Sequence, residues 1–202
     1  MDRDKLALIR DIINELRGVT KCRDDFSKAY ILPTDAQRLW ADRTRISTVL
    51  NLRSTSALVR IIYDEMTTLL TILVFSNATL CLENFRKHFF RNNRPKLTDR
   101  NLPLKASQVD FLEAEPALID RFLENQYRFC PYVIEISDQE VTTIDQKYRL
   151  PFEEDPQVIG SGFHGEVAIV PISPGYLKQQ NGTVWTKVCR IDSTLDIVTN
   201  TE

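Results

Sequence analysis

The stretch Gln157–Val170, QVIGSGFHGEVAIV, decides how the C-terminal part of this chain is expected to fold. Three of the six glycines of the chain fall inside it, as Gly160, Gly162 and Gly165, with β-branched residues on both sides. Glycine has no Cβ and readily adopts positive φ, so backbone N–H groups in a G-x-G-x-x-G loop can approach a phosphate closely. The spacing therefore predicts a phosphate-binding loop.

The residues after the third glycine distinguish between two nucleotide-binding folds. A dinucleotide-binding turn runs directly into a helix whose N-terminus holds the pyrophosphate. Here Glu166–Ile172 is rich in β-branched residues, and Pro171 would interrupt a helix. We therefore predict a strand, a glycine turn and a second strand, the arrangement found where a G-x-G-x-x-G-x-V loop covers ATP. An ordinary glycine-containing hairpin without a ligand is the alternative.

Residues 1–130 show the apolar periodicity of helices, which predicts an all-α domain. Start signals such as a first-turn proline and an Asp or Thr cap separate the helices. The predicted buried positions are Leu6, Ile9, Ile13 and Leu16 with a C-terminal cap at Gly18; Leu39, Ile46 and Val49 after a start at Pro33–Asp35; and Leu118, Phe122 and Tyr127 after a start at Pro116.

The run Met66–Leu82 contains no charged residue. Its length reaches the lower limit for a membrane span, but three threonines, a serine and an asparagine interrupt its apolar character before Thr79. We therefore predict a buried central helix of the helical domain, and a membrane span is the alternative.

The segment Arg86–Arg100 mixes seven basic residues with phenylalanines. Such a mixture can bind nucleic acid. The chain as a whole carries a net charge of −2, however, which favours a helix end whose phenylalanines face the core and whose cations face solvent. We predict neither a nucleic-acid nor a membrane partner.

Neither a metal site nor a secretion signal is predicted. Four cysteines lie far apart without a C-x-x-C motif, and the chain has only two histidines, His88 and His164. The N-terminal residues mix both signs of charge among apolar positions, unlike a signal peptide. Reduced thiols then indicate an intracellular protein, which we expect to be cytoplasmic.

Segments from most of the chain carry a resemblance to a known family: Ile62–Asp64, Leu69–Leu73, Asp110–Leu112, Gln126–Pro131 with Ile134, Arg149–Phe152 and Ile159–Gly162. With them, the chain resembles filamentous-fungal proteins that contain a protein kinase domain. In that family a helical region precedes a serine/threonine-type kinase domain, and the glycine loop is the specific part of the resemblance.

Periodicity and resemblance together imply an α+β protein. An N-terminal all-α helical domain, residues 1–130, is followed by a short antiparallel β segment that resembles the start of a kinase N-lobe. Residues 131–148 hold a strand at Tyr132–Ile136 and a polar tether at Ser137–Lys147. Residues 149–202 form the partial N-lobe with its glycine-rich loop.

The resemblance implies that this loop folds over the triphosphate of ATP. Two apolar residues beside the glycines would cover the adenine, and His164 is expected to be an exposed turn residue without a catalytic role. The implied nucleotide-binding residues are Ile159, Gly160, Ser161, Gly162, Phe163, His164, Gly165, Val167 and Lys187.

A third strand should supply the lysine that pairs with the α- and β-phosphates, in the pattern V-A-x-K. Val184–Lys187 contains such a lysine, after a polar hairpin predicted at Gly175–Gly182, but it places Trp185 where the pattern has a small alanine. The frame Val188–Ile191 restores a small residue, Cys189, and loses the lysine. Both frames remain open.

The sequence contains neither an H-R-D catalytic loop nor a D-F-G motif. Those elements supply the catalytic base and the magnesium ligands of kinases. We therefore expect no catalytic residue in this chain and no phosphate transfer by the chain alone, as in a kinase truncated after its third N-lobe strand. Any Mg²⁺ that accompanies ATP would be held by the elements that the chain lacks.

A hypothesis of a different class assigns the function to the helical domain alone. That domain would be a non-enzymatic module that binds a protein partner, of an identity that the sequence does not indicate, while the kinase-like tail would be vestigial.

Overall fold

The computed structural model describes residues 3–21, 29–112, 116–136, 142–153, 157–162, 165–179, 189–191 and 196–198. It confirms the α+β class, because helices dominate the first part of the chain and strands the second. The chain divides into two compact units. The helical unit comprises Met1–Thr20 and Ile31–Cys130, and the β unit comprises Lys21–Tyr30 and Pro131–Glu202.

The helical unit contains eight α-helices and one very short antiparallel strand pair in its described residues. Three single 3₁₀ turns connect the strand pair to the last helix. The elements are α1 Arg3–Val19, α2 Pro33–Leu39, α3 Arg43–Leu50, α4 Ala57–Glu65, α5 Thr67–Phe75, α6 Thr79–Glu83, α7 Phe85–Phe89, β1 Phe90–Arg91, β2 Arg94–Pro95, the turns Asp99–Asn101, Ala106–Gln108 and Asp110–Leu112, and α8 Pro116–Phe129.

Helix α5 is the centre of this unit, and its residues 67–74 are all buried. Helices α1, α2, α4, α6 and α8 contact it, so the prediction of a buried central helix is confirmed. The uncharged run is not one helix, since α5 ends at Phe75 and α6 begins at Thr79, with Asn77 between them at a φ of 59°. In the described residues, no helix combines the length and apolar character that crossing a bilayer requires.

The first predicted helix exists, but its buried face is rotated from the predicted one. Ile9 and Leu16 are buried as predicted, whereas Leu6 is 46% exposed and Ile12 is fully buried. The buried positions, Lys5, Ile9, Ile12 and Leu16, are spaced 4, 3 and 4 residues apart, so they follow one stripe of the helix. The predicted cap at Gly18 is wrong, because α1 continues through that residue to Val19.

The second predicted helix is two helices. The first ends at Leu39. Asp42 then begins the second, since its carboxylate accepts a hydrogen bond from the backbone N–H of Thr44 at 2.9 Å and caps α3. The predicted buried residues Leu39, Ile46 and Val49 are confirmed.

The phenylalanines in and beside the basic segment Arg86–Arg100 face the core, as we predicted for a helix end with its cations in solvent. Phe85, Phe89 and Phe90 are buried, and Phe89 lies 4.7 Å from the ring centroid of Phe111 in an edge-to-face arrangement. In α8, Leu118 and Phe122 are buried as predicted, while Tyr127 is only partly buried.

In its described residues, the β unit contains a five-stranded sheet and a separate two-stranded pair. Neighbours in the five-stranded sheet are antiparallel, in the order β4, β9, β8, β6, β5, whereas β3 and β7 pair in parallel. The strands are β3 Ile134–Ile136, β4 Thr142–Thr143, β5 Gln157–Gly162, β6 Gly165–Ile169, β7 Leu177–Gln179, β8 Cys189–Ile191 and β9 Asp196–Val198.

The strands bear on two predictions in this unit. Leu177–Gln179, within the predicted hairpin Gly175–Gly182, is a strand that pairs in parallel with β3 some 43 residues earlier, with Ile134 opposite Leu177. Thr142–Thr143 was predicted as part of the polar tether Ser137–Lys147. It is instead a short strand that pairs with β9 at the edge of the sheet. The rest of the predicted hairpin, residues 180–182, and residues 137–141 of the tether lie outside the described residues.

Candidate nucleotide-binding site

The glycine stretch forms two antiparallel strands of a hairpin, which confirms the two predicted strands, while the turn residues 163–164 lie outside the described residues. In β5 and β6, Val158 is opposite Ala168, and Gly162 is opposite Gly165 at the tip. The register shifts between Val158 and Gly160, which makes Ile159 the extra residue of a bulge. A bulge bends the strand and increases its twist, so it redirects the glycine tip relative to the stem.

The stem of the hairpin extends beyond β5 and β6 toward its base. Phe152 and Ile172 form an antiparallel β-bridge. Two backbone hydrogen bonds flank this bridge: the N–H of Glu153 donates to the carbonyl of Pro171, and the N–H of Ser173 donates to the carbonyl of Pro151, each at 2.8 Å. The chain entering the hairpin is thereby hydrogen-bonded to the chain leaving it. The base rests on a small core of four buried residues, Ile134, Val170, Ile172 and Leu177.

Tyr30 fixes this base from a distant part of the sequence. Its hydroxyl lies 3.0 Å from the carbonyl oxygen of Phe152 and 2.8 Å from Oγ of Ser173, and its ring is fully buried. Sequence reasoning missed Tyr30, because a tyrosine in a short polar connection between two helices gives no signal of pairing with residues over a hundred positions later. The base of the hairpin therefore depends on a segment of the N-terminal half.

The outer strand of the hairpin presents apolar side chains to solvent. Val158 is 51% exposed and Ile159 is 56% exposed. A Cβ added at Gly160 would meet no atom within 4 Å, and the φ of this residue is not positive. Neither packing nor backbone geometry of the chain therefore requires glycine at position 160, whereas close approach of a ligand would.

The third strand of this sheet segment is β8, which pairs with β6. Cys189 is opposite Ala168, and Arg190 is opposite Val167. This strand falls in the second of the two frames considered for the V-A-x-K pattern, Val188–Ile191. Lys187 and the rest of the first frame lie outside the described residues.

The described residues account for part of the predicted site. Ile159, Gly160, Ser161 and Gly162 lie together on β5, and Gly165 and Val167 face them in register from β6. Phe163, His164 and Lys187 lie outside the described residues. Within the part of the chain that is described, no three His, Cys, Asp or Glu side chains are grouped so as to hold a metal ion.

Comparison of the chain with protein-family models, with curated proteins and with solved structures found no match. Any assignment of function therefore rests on the residues and the geometry of the hairpin.

Proposed function

We propose that this chain is a protein kinase-like fragment whose glycine hairpin binds ATP and which does not transfer phosphate by itself. The observation that carries the proposal is the hairpin 157–162/165–169, closed by glycines at the spacing of the kinase loop and joined on its inner side by a third strand. The open space beside the exposed Gly160 adds support, since a phosphate can approach the backbone there without meeting a side chain.

In this proposal each part of the hairpin has its own task. Backbone N–H groups near Gly160, Gly162 and Gly165 bind the phosphates, and the exposed Ile159 together with Val167 covers the adenine. Lys187 pairs with the α- and β-phosphates. Mg²⁺ arrives with the nucleotide, and the metal ligands, the catalytic base and the substrate platform would belong to elements with H-R-D and D-F-G motifs. The proposal includes a cytoplasmic location.

The test is a comparison of nucleotide affinities by calorimetry on the whole chain. We expect MgATP to bind more tightly than MgADP, and adenosine to bind weakest, because the glycine loop contacts the phosphates. Gly160→Ala should lower the MgATP affinity about tenfold or more, the equivalent of one charge-assisted hydrogen bond. Gly18→Ala, the same change in the helical unit, is the matched control and should leave the affinity unchanged.

Two results would contradict this proposal. Equal affinities for ATP and adenosine would mean that the hairpin does not recognise phosphate, and an unchanged ATP affinity in Gly160→Ala would make it an ordinary β-hairpin.

The claim that the chain does not transfer phosphate by itself has its own test, an assay of phosphate transfer from ATP to a generic protein substrate. Transfer that is abolished by Lys187→Met would show that the chain is a working kinase.

A second candidate function belongs to the helical unit, as a module that binds a protein partner. The supporting observation is its own continuous core, in which buried side chains from Ile9 to Phe129 form one cluster without residues of the β unit. Affinity capture with residues 1–130 and with the whole chain distinguishes the two candidates. Partners retained by residues 1–130 favour the helical module, and partners retained only by the whole chain favour the β unit.

A further inference from the structure

The helical unit contains a cavity that the nucleotide proposal does not use. It has a volume of about 210 Å³ and lies between α6, α7, the turn Asp110–Leu112 and α8. Its apolar wall consists of Leu80, Phe111, Leu112 and Leu118. Leu80 is 43% exposed although it is a leucine on a well-packed unit, so the rim of the cavity is reachable from solvent.

The aromatic part of the wall is held in place by its neighbours. Phe111 is edge-on to Phe89 at 4.7 Å and edge-on to the fully buried Phe122 at 5.8 Å. Because both contacts restrain the ring, the cavity is preformed and does not depend on a side chain swinging aside. Preformed apolar cavities with a few polar groups are the usual form of small-molecule sites.

Three polar residues also line this cavity. Asn84, Lys87 and His88 line it beside the apolar wall, and Asn84 donates its amide N–H to the carbonyl of Leu80 at 3.1 Å, which fixes the orientation of the amide. Lys96 adds a further positive charge near His88, and Asp110 is the opposing carboxylate. Lys87 is the cationic residue in the lining of the cavity.

The volume limits the size of a ligand. An apolar cavity of about 150 Å³ is large enough to bind benzene. A cavity of about 210 Å³ has room for one six-membered ring and a small polar group beside it. The apolar wall suits the ring, and the Lys87 ammonium suits an anionic group.

We propose that this cavity binds a small aromatic carboxylate, with its ring between Leu80, Phe111 and Leu118 and its carboxylate at Lys87 and His88. The site lies wholly within the helical unit, so it is independent of the proposed nucleotide site. Failure of either proposal leaves the other standing.

The experiment is a titration of the isotope-labelled whole chain with phenylacetate, followed by NMR. We expect saturable shifts of Leu80, Asn84 and His88 resonances at millimolar ligand. Phenylacetamide, which keeps the ring and loses the charge, should bind about tenfold more weakly, because charge-assisted hydrogen bonds are the stronger ones. Acetate, which lacks the ring, should give no saturable shift.

A matched pair of variants tests the role of the lysine. Lys87→Met keeps an apolar stem and removes the charge at the cavity, and we expect about a tenfold loss of phenylacetate affinity. Arg86→Met removes the same charge from the neighbouring exposed residue, which does not line the cavity, and should bind as the unchanged chain does. The spectrum of residues outside the cavity verifies that both variants are folded.

His88 provides a second readout. Burial, followed by the charges of Lys87 and Lys96, holds the pKa of His88 below its ordinary value, against the opposing effect of Asp110. A bound carboxylate favours the protonated ring, so phenylacetate should raise the pKa of His88 and bind more tightly as pH falls from 7.5 to about 5.5, where the ligand is still ionised.

Several results would overturn the proposal. Absence of saturable shifts at these residues would show that the cavity takes no such ligand. Equal affinity for phenylacetate and phenylacetamide would mean that it accepts apolar rings without recognising an anion. Equal losses in Lys87→Met and Arg86→Met would assign the effect to net charge and not to the cavity.

Discussion

At the scale of single residues, glycines occupy this chain for different physical reasons. Gly175 has a φ of +86°, a conformation that L side chains rarely adopt. Gly18 and Gly160 have no such angle, and a Cβ would meet nothing within 4 Å at either position. Gly175 is therefore required by the backbone, Gly18 is a replaceable helix residue, and Gly160 has open space beside it.

Gly18→Ala and Gly175→Ala should have opposite effects on stability. Alanine is favoured over glycine inside a helix by about 0.5–1 kcal/mol, so Gly18→Ala should raise the free energy of unfolding by that amount. Gly175→Ala should lower it by about 1 kcal/mol or more, because alanine at positive φ is strained. Urea unfolding monitored by circular dichroism measures both. Destabilisation by Gly18→Ala would contradict the helical geometry at the end of α1.

Local patterns predicted single buried residues well where packing follows the periodicity. Leu39, Ile46, Val49, Leu118 and Phe122 are all buried. The local pattern was less successful at the first helix, because its apolar residues fit two adjacent stripes. Only the packing of α1 against its neighbours selects the stripe that contains Ile12. The exposed Leu6 shows that apolar character alone does not define the buried face.

At the scale of elements, the N-terminus of α5 is capped from another part of the chain. Both carboxylate oxygens of Asp99 accept hydrogen bonds from backbone N–H groups of this helix, from Thr68 at 2.9 Å and from Leu69 at 2.8 Å. Burial nevertheless raises the pKa of Asp99, and the hydrogen bonds from Leu69 and Thr68 only partly oppose it. The central helix therefore depends on a carboxylate that is costly to keep ionised.

Asp99→Ala should lower the free energy of unfolding by about 1–3 kcal/mol, because two buried N–H groups lose their acceptor. Asp99→Asn retains one acceptor oxygen and should cost less. Chemical unfolding at pH 7 measures the difference, and Asp64→Asn, the same change at an exposed position, is the control. Equal stability of Asp99→Ala and the unchanged chain would contradict the capping role.

The stability difference between the unchanged chain and Asp99→Asn should depend on pH. Since the pKa of Asp99 is raised in the folded state, folding favours the protonated carboxyl. The protonated Asp99 therefore contributes to the free energy of unfolding at low pH, and this contribution is lost as pH rises through the folded pKa. Lowering the pH from 7 toward the ordinary aspartate range near about 4 should therefore shift the difference in favour of the unchanged chain. A shift in the opposite direction would mean that the hydrogen bonds outweigh burial.

The strands show which parts of the β structure can be predicted from sequence and which cannot. The glycine hairpin was predictable, because its two strands are adjacent in sequence and joined by a turn that glycine specifies. Two other pairings, β3 with β7 and β4 with β9, could not be predicted. Strands that are distant in sequence leave no local pattern that identifies them as partners in a sheet.

At the scale of the whole molecule, the chain crosses between its units more than once. Lys21–Tyr30 belongs to the β unit although helices precede and follow it. Lys21 and Tyr30 pair with each other, and the Tyr30 hydroxyl reaches Phe152 and Ser173. The periodicity of the N-terminal half gave no indication of this excursion.

Tyr30→Phe should destabilise the β unit by about 1–3 kcal/mol, because the Phe152 carbonyl and the Ser173 hydroxyl each lose a hydrogen bond. Amide hydrogen exchange can follow the units separately: exchange at Val170 and Ser173 should become faster, and exchange in α5 should be unaffected. Tyr63→Phe, the same change in the helical unit, is the control and should leave the β unit unchanged. Uniform acceleration in both units would contradict a local role for Tyr30.

The central claim is that the hairpin 157–169 binds nucleotide, and amide chemical-shift mapping of the whole chain with MgATP tests it most directly. The account predicts saturable shifts at Gly160–Gly162 and Gly165–Val167, greatly reduced in Gly160→Ala at the same ATP concentration. Shifts confined to the helical unit, or none in the hairpin at millimolar ATP, would contradict it.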